Sequence, residues 1–506
     1  RELTQDYPGI YELDNTSLSL TIEWETPGGL TFKSLTGWQK LEKNQTVDGD
    51  RLTESTISID TLGFFQFNNW DVLPFWFNDS DAISQEFALS ADGERLDWVV
   101  GAYYLDHDNF NDFLEAAGPA PFSDFEDAVN NPSPITLPPF MSVLSFNEFR
   151  TVARKDLAVY GQTTYQINEK VALTAGLRFQ AEDQRDFGAQ FFGIFGGFDR
   201  QTDDSKATWK VGIDVNLSDD NFLYGLISTG WKNGGTNPGA VTSGAVFLGA
   251  SFEPEEVTAF EIGSRNTFNE GRVRFNVTAF LYDHEHLQYI YEDPIPFAAG
   301  TGTIPKVKEY GIETEFSWLM SNEWQLDGMI AWQDGELKSD VVALDVVDFR
   351  EALAPGVGLF TDAVNASRTC DPPDPSVRCT LAVGNNLNGN TPPKMPKIMA
   401  RIGLTHARTF RKGSALTTRL EWVHRGDMQA RVFNNPLADT IPSYNIVNLH
   451  LGYDLVDRPV RFQLSATNLF DEDGINNAFT NPFGLWTTSH EYIPPLEVIA
   501  SVTFEF

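Results

Sequence analysis

"EVIASVTFEF" (497–506) closes the chain. Val498, Ala500, Val502, Phe504 and Phe506 are apolar, while Glu497, Ser501, Thr503 and Glu505 are polar; Ile499 alone breaks the alternation. A period of two describes a β-strand with one apolar and one polar face. The fold turns on whether the apolar face meets a protein core or lipid.

The same period recurs along the whole chain. Leu18, Leu20, Ile22 and Trp24 alternate with Ser17, Ser19, Thr21 and Glu23. In "VALTAGLRFQAED" (171–183), Val171, Leu173, Ala175, Leu177 and Phe179 oppose Thr174, Gly176, Arg178 and Gln180. "YGIETEFSW" (310–318) sets Tyr310, Ile312, Phe316 and Trp318 against Gly311, Glu313, Glu315 and Ser317. "WQLDGMIAW" (324–332) and "YNIVNLHLGYDL" (444–455) repeat the pattern. Roughly seventeen such segments can be counted, and no helical period competes with them. Aromatics such as Trp324 and Trp332 mark the ends of apolar faces, where the interfacial girdles of a membrane barrel sit.

Composition allows that reading. The 506 residues are 41% hydrophobic and 21% charged, so the chain is not disordered, and aromatics reach 13%. No apolar run approaches the ~20 residues of a membrane-spanning helix, but a barrel strand needs only about 9–11, of which alternate side chains meet lipid. Acidic residues outnumber basic ones by 71 to 36. Such a chain repels phosphate backbones, which sets nucleic acid aside as a partner.

The connections decide between barrel and sandwich. Tight polar turns at 26–29, 91–94, 218–220, 269–271, 321–323, 411–414 and 457–459 alternate with long excursions at about 46–78, 111–150, 186–204, 233–251, 337–396 and 432–442. A sandwich mixes loop lengths at both ends, whereas an outer-membrane barrel has short periplasmic turns and long extracellular loops. The expected fold class is therefore all-β, a transmembrane antiparallel β-barrel with its C-terminus on the periplasmic side. Arg178, Glu261, Arg272, Arg274, Glu313, Glu315, Arg401, Arg419 and Glu421 lie on the polar faces and should line the lumen.

Several residues invite a functional reading. His284 and His286 in "YDHEHLQ" share the lumen face, a spacing open to metal ligation or to simple solvation near the barrel mouth, and no third ligand is evident. Phe191, Phe192, Phe195 and Phe198 crowd with Phe187 into one expected loop, fitting either a ligand surface or loop packing. A second aromatic cluster, Phe64 to Phe77, falls in another. Trp231 and Lys232 in "GWKNGG" place a cation where an anionic chelate would arrive, although a loop lysine is usually just solvated. Cys370 and Cys379 in "CDPPDPSVRC" are expected to form a disulfide worth roughly 2–3 kcal/mol, which requires an oxidising compartment. No hydrolase, zinc-protease or phosphate-loop signature occurs, so no catalysis and no cofactor are expected.

Several stretches resemble TonB-dependent receptors, the active-transport barrels of Gram-negative outer membranes. "LSATNLFDED" (464–473) is similar to the family's near-terminal strand, with Asn468, Leu469, Phe470 and Asp471 as its motif. "FEIGSRNTFNEGRVRFNVTAFLYDHEHLQ" (260–288), "LYGLISTGWKNGGTNPG" (223–239) and "LAVYGQTTYQINEKVALTAGLRF" (157–179) resemble family hairpins. The terminal Phe506 fits the outer-membrane assembly signal. The resemblance implies a barrel of 22 strands with a plugged lumen. About 17 of those 22 are expected here, so residues 1–506 read as a partial barrel domain of a longer protein, with the plug and first strands outside this chain. It further implies import of a bulky, scarce nutrient, a ferric siderophore first, with cobalamin or a saccharide behind it. The implied partners are the TonB complex, reached through the missing N-terminal part, outer-membrane lipid and lipopolysaccharide, and a small-molecule metal chelate as cargo. The rivals are a passive diffusion pore and a secreted β-rich adhesin or hydrolase.

Overall fold

A computed structural model of the chain describes residues 9–46, 57–61, 65–119, 144–190, 197–237, 250–293, 298–343, 345, 347, 368–369, 380–381, 385–411, 413–455, 460–480 and 488–504. One antiparallel sheet holds 18 strands, and seventeen of them pair in strict chain order. These are β1 (Ile10–Glu25), β2 (Leu30–Thr46), β3 (Phe65–Ala91), β4 (Leu96–Pro119), β5 (Leu144–Asn168) and β6 (Val171–Gln190). Next come β7 (Gly197–Ser218), β8 (Asn221–Lys232), β9 (Glu255–Phe268), β10 (Val273–Asp293), β11 (Ala298–Leu319) and β12 (Trp324–Leu337). The series closes with β13 (Ile398–Thr409), β14 (Ala415–Arg425), β15 (Tyr444–Leu455), β16 (Val460–Thr467) and β17 (Glu497–Phe504). The remaining strand, Ile57–Thr61, pairs with the start of β3.

The two faces of the sheet follow the alternation. On β7, Trp209, Val211 and Ile213 are exposed, while Thr208, Lys210, Gly212 and Asp214 between them are partly buried on the other face. The outward apolar rows continue across the register: Phe504 opposes Val460, Val502 opposes Phe462 and Ala500 opposes Leu464. So much exposed apolar surface on every strand is untenable in water and is the lipid-facing band of a barrel. On β11 the band runs from Tyr310 to Trp318, about 26 Å of strand and about 20 Å of height once tilted, near the ~25 Å of such bands. Tyr310 meets Trp332 edge-on at 5.9 Å at the upper girdle. Trp318 and Trp324 mark the lower one.

At the short-turn end, Gly29 has φ +79°, and Thr26 closes the turn through both its side chain and its backbone to Leu30. The other end corrects the sequence reading. Much of the expected loops at 46–78, 111–150 and 186–204 is strand, because β3 to β7 project far beyond the apolar band. The aromatic cluster that was expected in a loop lies largely on β3, which begins at Phe65. Above the band β6 and β7 are mostly polar on both faces, as in the Arg185–Asp199 pair at 2.8 and 2.6 Å, while β3 carries Phe65, Phe67, Trp70, Phe75, Trp76 and Phe77 on both parities. A strand with two polar faces has no hydrophobic alternation to read.

Aromatic rings on the lumen face cover glycines of a neighbouring strand: Tyr160 over Gly101, Tyr224 over Gly263 and Phe280 over Gly311. A Cβ at Gly311 would stand 2.7 Å from the Phe280 ring and 2.5 Å from the Trp332 carbonyl oxygen. Gly311→Val is therefore expected to lift the ring into the lumen and cost about 1–3 kcal/mol. Urea unfolding of the detergent-solubilised barrel measures this; an unchanged midpoint would refute the packing.

The β10–β11 hairpin reverses its facing once. Glu285 pairs with Lys306 and Leu287 with Ile304, bracketing His286 and Pro305. His286 has φ +55°, and a proline has no N–H to donate to a ladder. Below this point even-numbered residues of β10 face the lumen. Above it Leu287, Tyr289 and Tyr291 join Ile304, Val307, Leu337, Ala343, Leu387 and Val432 in a hydrophobic core. This core binds the top of the hairpin to the long excursions that follow β12 and β14.

Candidate functional site

The lumen wall near its long-loop end carries a stripe of rings. Phe280, Tyr282 and His284 are alternate residues of β10, which places them on one face. Phe280 and Tyr282 stack at 4.8 Å, and His284 meets Tyr282 edge-on at 6.5 Å. The Tyr282 hydroxyl donates to Glu261 at 3.3 Å.

His284 sits between two carboxylates, with Nδ1 3.7 Å from Glu255 on β9 and Nε2 4.0 Å from Glu309 on β11. These are ion-pair rather than hydrogen-bond distances, and both ring nitrogens are buried without a hydrogen-bond partner among the described residues. Glu255 also accepts the Gln288 amide at 3.0 Å and lies in register with Lys232. Burial pushes the Glu255 carboxyl up, but His284, that amide and the Lys232 charge outweigh it and hold the pKa below its usual value. The Glu255 carboxylate raises the pKa of His284 against burial, and Glu309 adds to the rise. A histidine with a raised folded pKa contributes stability that is complete below about pH 6.5 and is lost as pH rises through the raised value. His284→Gln should therefore flatten the pH dependence of stability between pH 6 and 8. Parallel wild-type and variant melting profiles would rule this out.

The sequence candidates divide. Lys232 and His284 converge on Glu255, and His286 reaches Glu253 at 3.3 Å instead. Trp231 pairs with Glu256 and so lies on the opposite face of β8 from Lys232. Among the described residues no group of three side chains is arranged to hold a metal ion. Phe198 pairs with Gly188 near the start of β7. Phe191, Phe192, Phe195, Cys370, Cys379 and Phe506 lie outside the described residues.

Sequence reasoning missed the packing of the excursions. Arg150 holds Asp186 through two hydrogen bonds, at 2.7 and 2.6 Å, and Thr236 donates to the same carboxylate at 2.6 Å. The next residue, Asn237, exchanges two side-chain bonds with the Thr301 backbone, at 2.9 and 2.8 Å. The glycine-rich stretch after β8 thus straps β5 and β6 to β11. Further on, Arg431 bridges Asp345 at 2.9 Å and Asp439 at 2.5 Å, and both carboxylates are wholly buried. Asp345 and Arg431, 86 residues apart in two different excursions, carry no local signal.

The Asn-Leu-Phe-Asp stretch is a structural turn. Asn468 takes φ +50°. Its side chain donates to the Glu472 and Pro494 carbonyls at 3.0 Å each and accepts the Glu472 amide at 2.8 Å. Its backbone amide donates to Asn448 at 3.0 Å, and Asn448 in turn donates to Glu421 at 3.2 Å. Asp471 accepts the Leu496 amide at 2.9 Å, which fixes the approach to β17. Phe470 stands exposed between them. Glu421 continues the network to Arg401 and to Arg419, which grips Asp327 with both nitrogens.

A sheet with a lipid-facing band, a charged and aromatic inner wall and excursions packed at one end defines a transmembrane β-barrel of the outer-membrane type. The chain belongs to the TonB-dependent receptor-like β-barrel family, whose model matches residues 2–469. No curated protein matches the sequence. Among solved structures, the ferric yersiniabactin uptake receptor FyuA of Yersinia pestis aligns with a TM-score of 0.68 at 16% identity, covering 98% of this chain and 62% of its own. The siderophore receptor PiuA of Acinetobacter baumannii gives 0.70 at 16%, covering 100% and 67%. BauA, the ferric preacinetobactin receptor of the same organism, gives 0.62 at 16%, covering 98% and 64%. The chain thus spans less than two thirds of the length of FyuA.

Proposed function

We propose that this chain is the barrel portion of an outer-membrane receptor that imports a bulky, scarce nutrient, a ferric siderophore foremost, with energy delivered through TonB. The observation that carries the reading is the inner wall of β8 to β11. It offers stacked rings and alternating charges just above the membrane band, under packed excursions, which suits an aromatic or charged chelate better than free solutes. The relatives of this fold, receptors for ferric yersiniabactin, preacinetobactin and other siderophores, make that cargo class the first to test. In this reading the short turns and the C-terminus face the periplasm, no reaction is catalysed, and the outward charged rims above the band meet lipopolysaccharide.

Uptake of ⁵⁵Fe-siderophores by iron-starved cells with and without the gene is the direct test. Uptake that depends on the gene and collapses with a protonophore or on loss of TonB is expected. Uptake that needs neither TonB nor the proton gradient, together with steady conductance in planar bilayers, would instead identify a passive pore.

A further inference from the structure

The inner-wall guanidinium groups are mostly matched to carboxylates: Arg150 to Asp186 and Arg154 to Asp156 at 2.6 Å, Arg419 to Asp327 at 2.7 Å. Arg178, which meets Gln180, Arg200, which meets two loop carbonyls, and Arg265, which lies over Tyr224, are exceptions, and Arg425 is another. It ends β14 on the face that carries Glu421, four residues earlier, at the long-loop end of the lumen. Among the described residues no carboxylate lies within ion-pair distance of it. Its Nη1 donates to the Asn476 carbonyl at 3.1 Å and its Nη2 to the Ile475 carbonyl, while Nε is buried without a partner. The guanidinium stacks on the Tyr444 ring at 4.5 Å, and that ring lies against Gly474, where a Cβ would come within 2.7 Å. Of the five N–H groups of an arginine, two are in use, and the planar fork is held rigidly by a ring beneath and a loop beside it. Burial lowers its pKa, as expected of a cation denied its counter-ion. An anion that arrives meets a desolvated, pre-oriented donor set rather than a neutralised one.

We infer that Arg425 is an anion-recognition residue at the mouth of the lumen, one that takes a carboxylate or similarly charged oxygen pair of the incoming chelate. This rests on the import reading and narrows its cargo to chelates that carry negative charge. Two carbonyl partners alone would make Arg425 a loop clamp. The clamp leaves most of the fork unused, and the test separates the two roles.

The protein is purified from outer membranes at its native length. Binding is followed by tryptophan quenching with three probes: ferric citrate and a ferric tris-catecholate, both anionic, and the cationic ferric hydroxamate ferrioxamine B. Wild type should bind at least one anionic probe more tightly than the cationic one. Arg425→Gln should weaken that binding about tenfold or more and leave the cationic probe unchanged, and Arg425→Lys should fall between. If wild type binds none of the three, and cells lacking the gene import iron normally, the import reading fails and takes this inference with it. If wild type binds and Arg425→Gln discriminates as wild type does, or prefers the cationic probe from the start, the inference fails and import stands. Equal weakening of both charge classes would make Arg425 a clamp and overturn its assignment as an anion site.

Discussion

Asn468→Ala is expected to destabilise the sheet by about 2–4 kcal/mol, because the side chain bonds three backbone groups, the Glu472 and Pro494 carbonyls and the Glu472 amide, and the backbone is left-handed. Alanine removes all three bonds and tolerates the positive φ poorly. Asn468→Gly relieves only the second problem and should recover about 1 kcal/mol. The loss falls at the turn that joins β16 to the approach to β17 and anchors Asn448, so its effect should spread to β15. Urea unfolding followed by tryptophan fluorescence, with heat-modified gel mobility as a second probe, reports the outcome. An alanine variant as stable as wild type would mean that the turn is held by Asp471 and the strand pairing alone.

Arg431→Met is expected to have the largest effect on the excursions. Asp345 and Asp439 are fully enclosed, and Arg431 is largely so. Removing the cation leaves two carboxylates in a dry site, at a cost of about 3–5 kcal/mol. Asn435, which donates from its side chain to Asp345 at 2.7 Å and from its backbone to Asp439 at 2.8 Å, cannot replace a positive charge. The lipid band is untouched, so the loss should be local. Amide exchange should accelerate through 430–441 and 385–395 while β4 to β7 keep wild-type protection. Arg431→Lys should rescue little, since one ammonium cannot span both partners as the fork does. Uniform acceleration across the sheet would show that the excursions and the wall unfold as one unit.

What was legible in the sequence was whatever has one apolar face. The membrane-spanning part of each strand announced itself through alternation, as at Tyr310 to Trp318, and the short turns through their Gly, Asn and Asp content. The upper halves of β3 to β7 did not, since polar residues fill both faces of β6 and β7 and aromatics fall on both parities of β3, and neither leaves an alternating pattern. Lys232 was expected only as a loop cation, whereas parity placed His284 on the lumen side. It could not show that Glu255 and Glu309 would flank the ring, which depends on the register of three strands. Parity also fails at His286, where a left-handed residue inverts the facing. Arg425 gave no signal at all, because its distinction is a missing partner, and only the folded arrangement reveals who stands beside whom.

The inversion at His286 and Pro305 has an evolutionary reading. Below it the hairpin must obey the membrane; above it the same two strands answer only to the packed head. Removing both residues together would leave the pairing intact and restore plain alternation, with Tyr291 and Ile304 on the side they already face. The joint is therefore a natural splice point. A head exchanged between barrels at Glu285 and Lys306 would bring its own facing with it, so the head can diversify by recombination while the spanning wall stays unchanged.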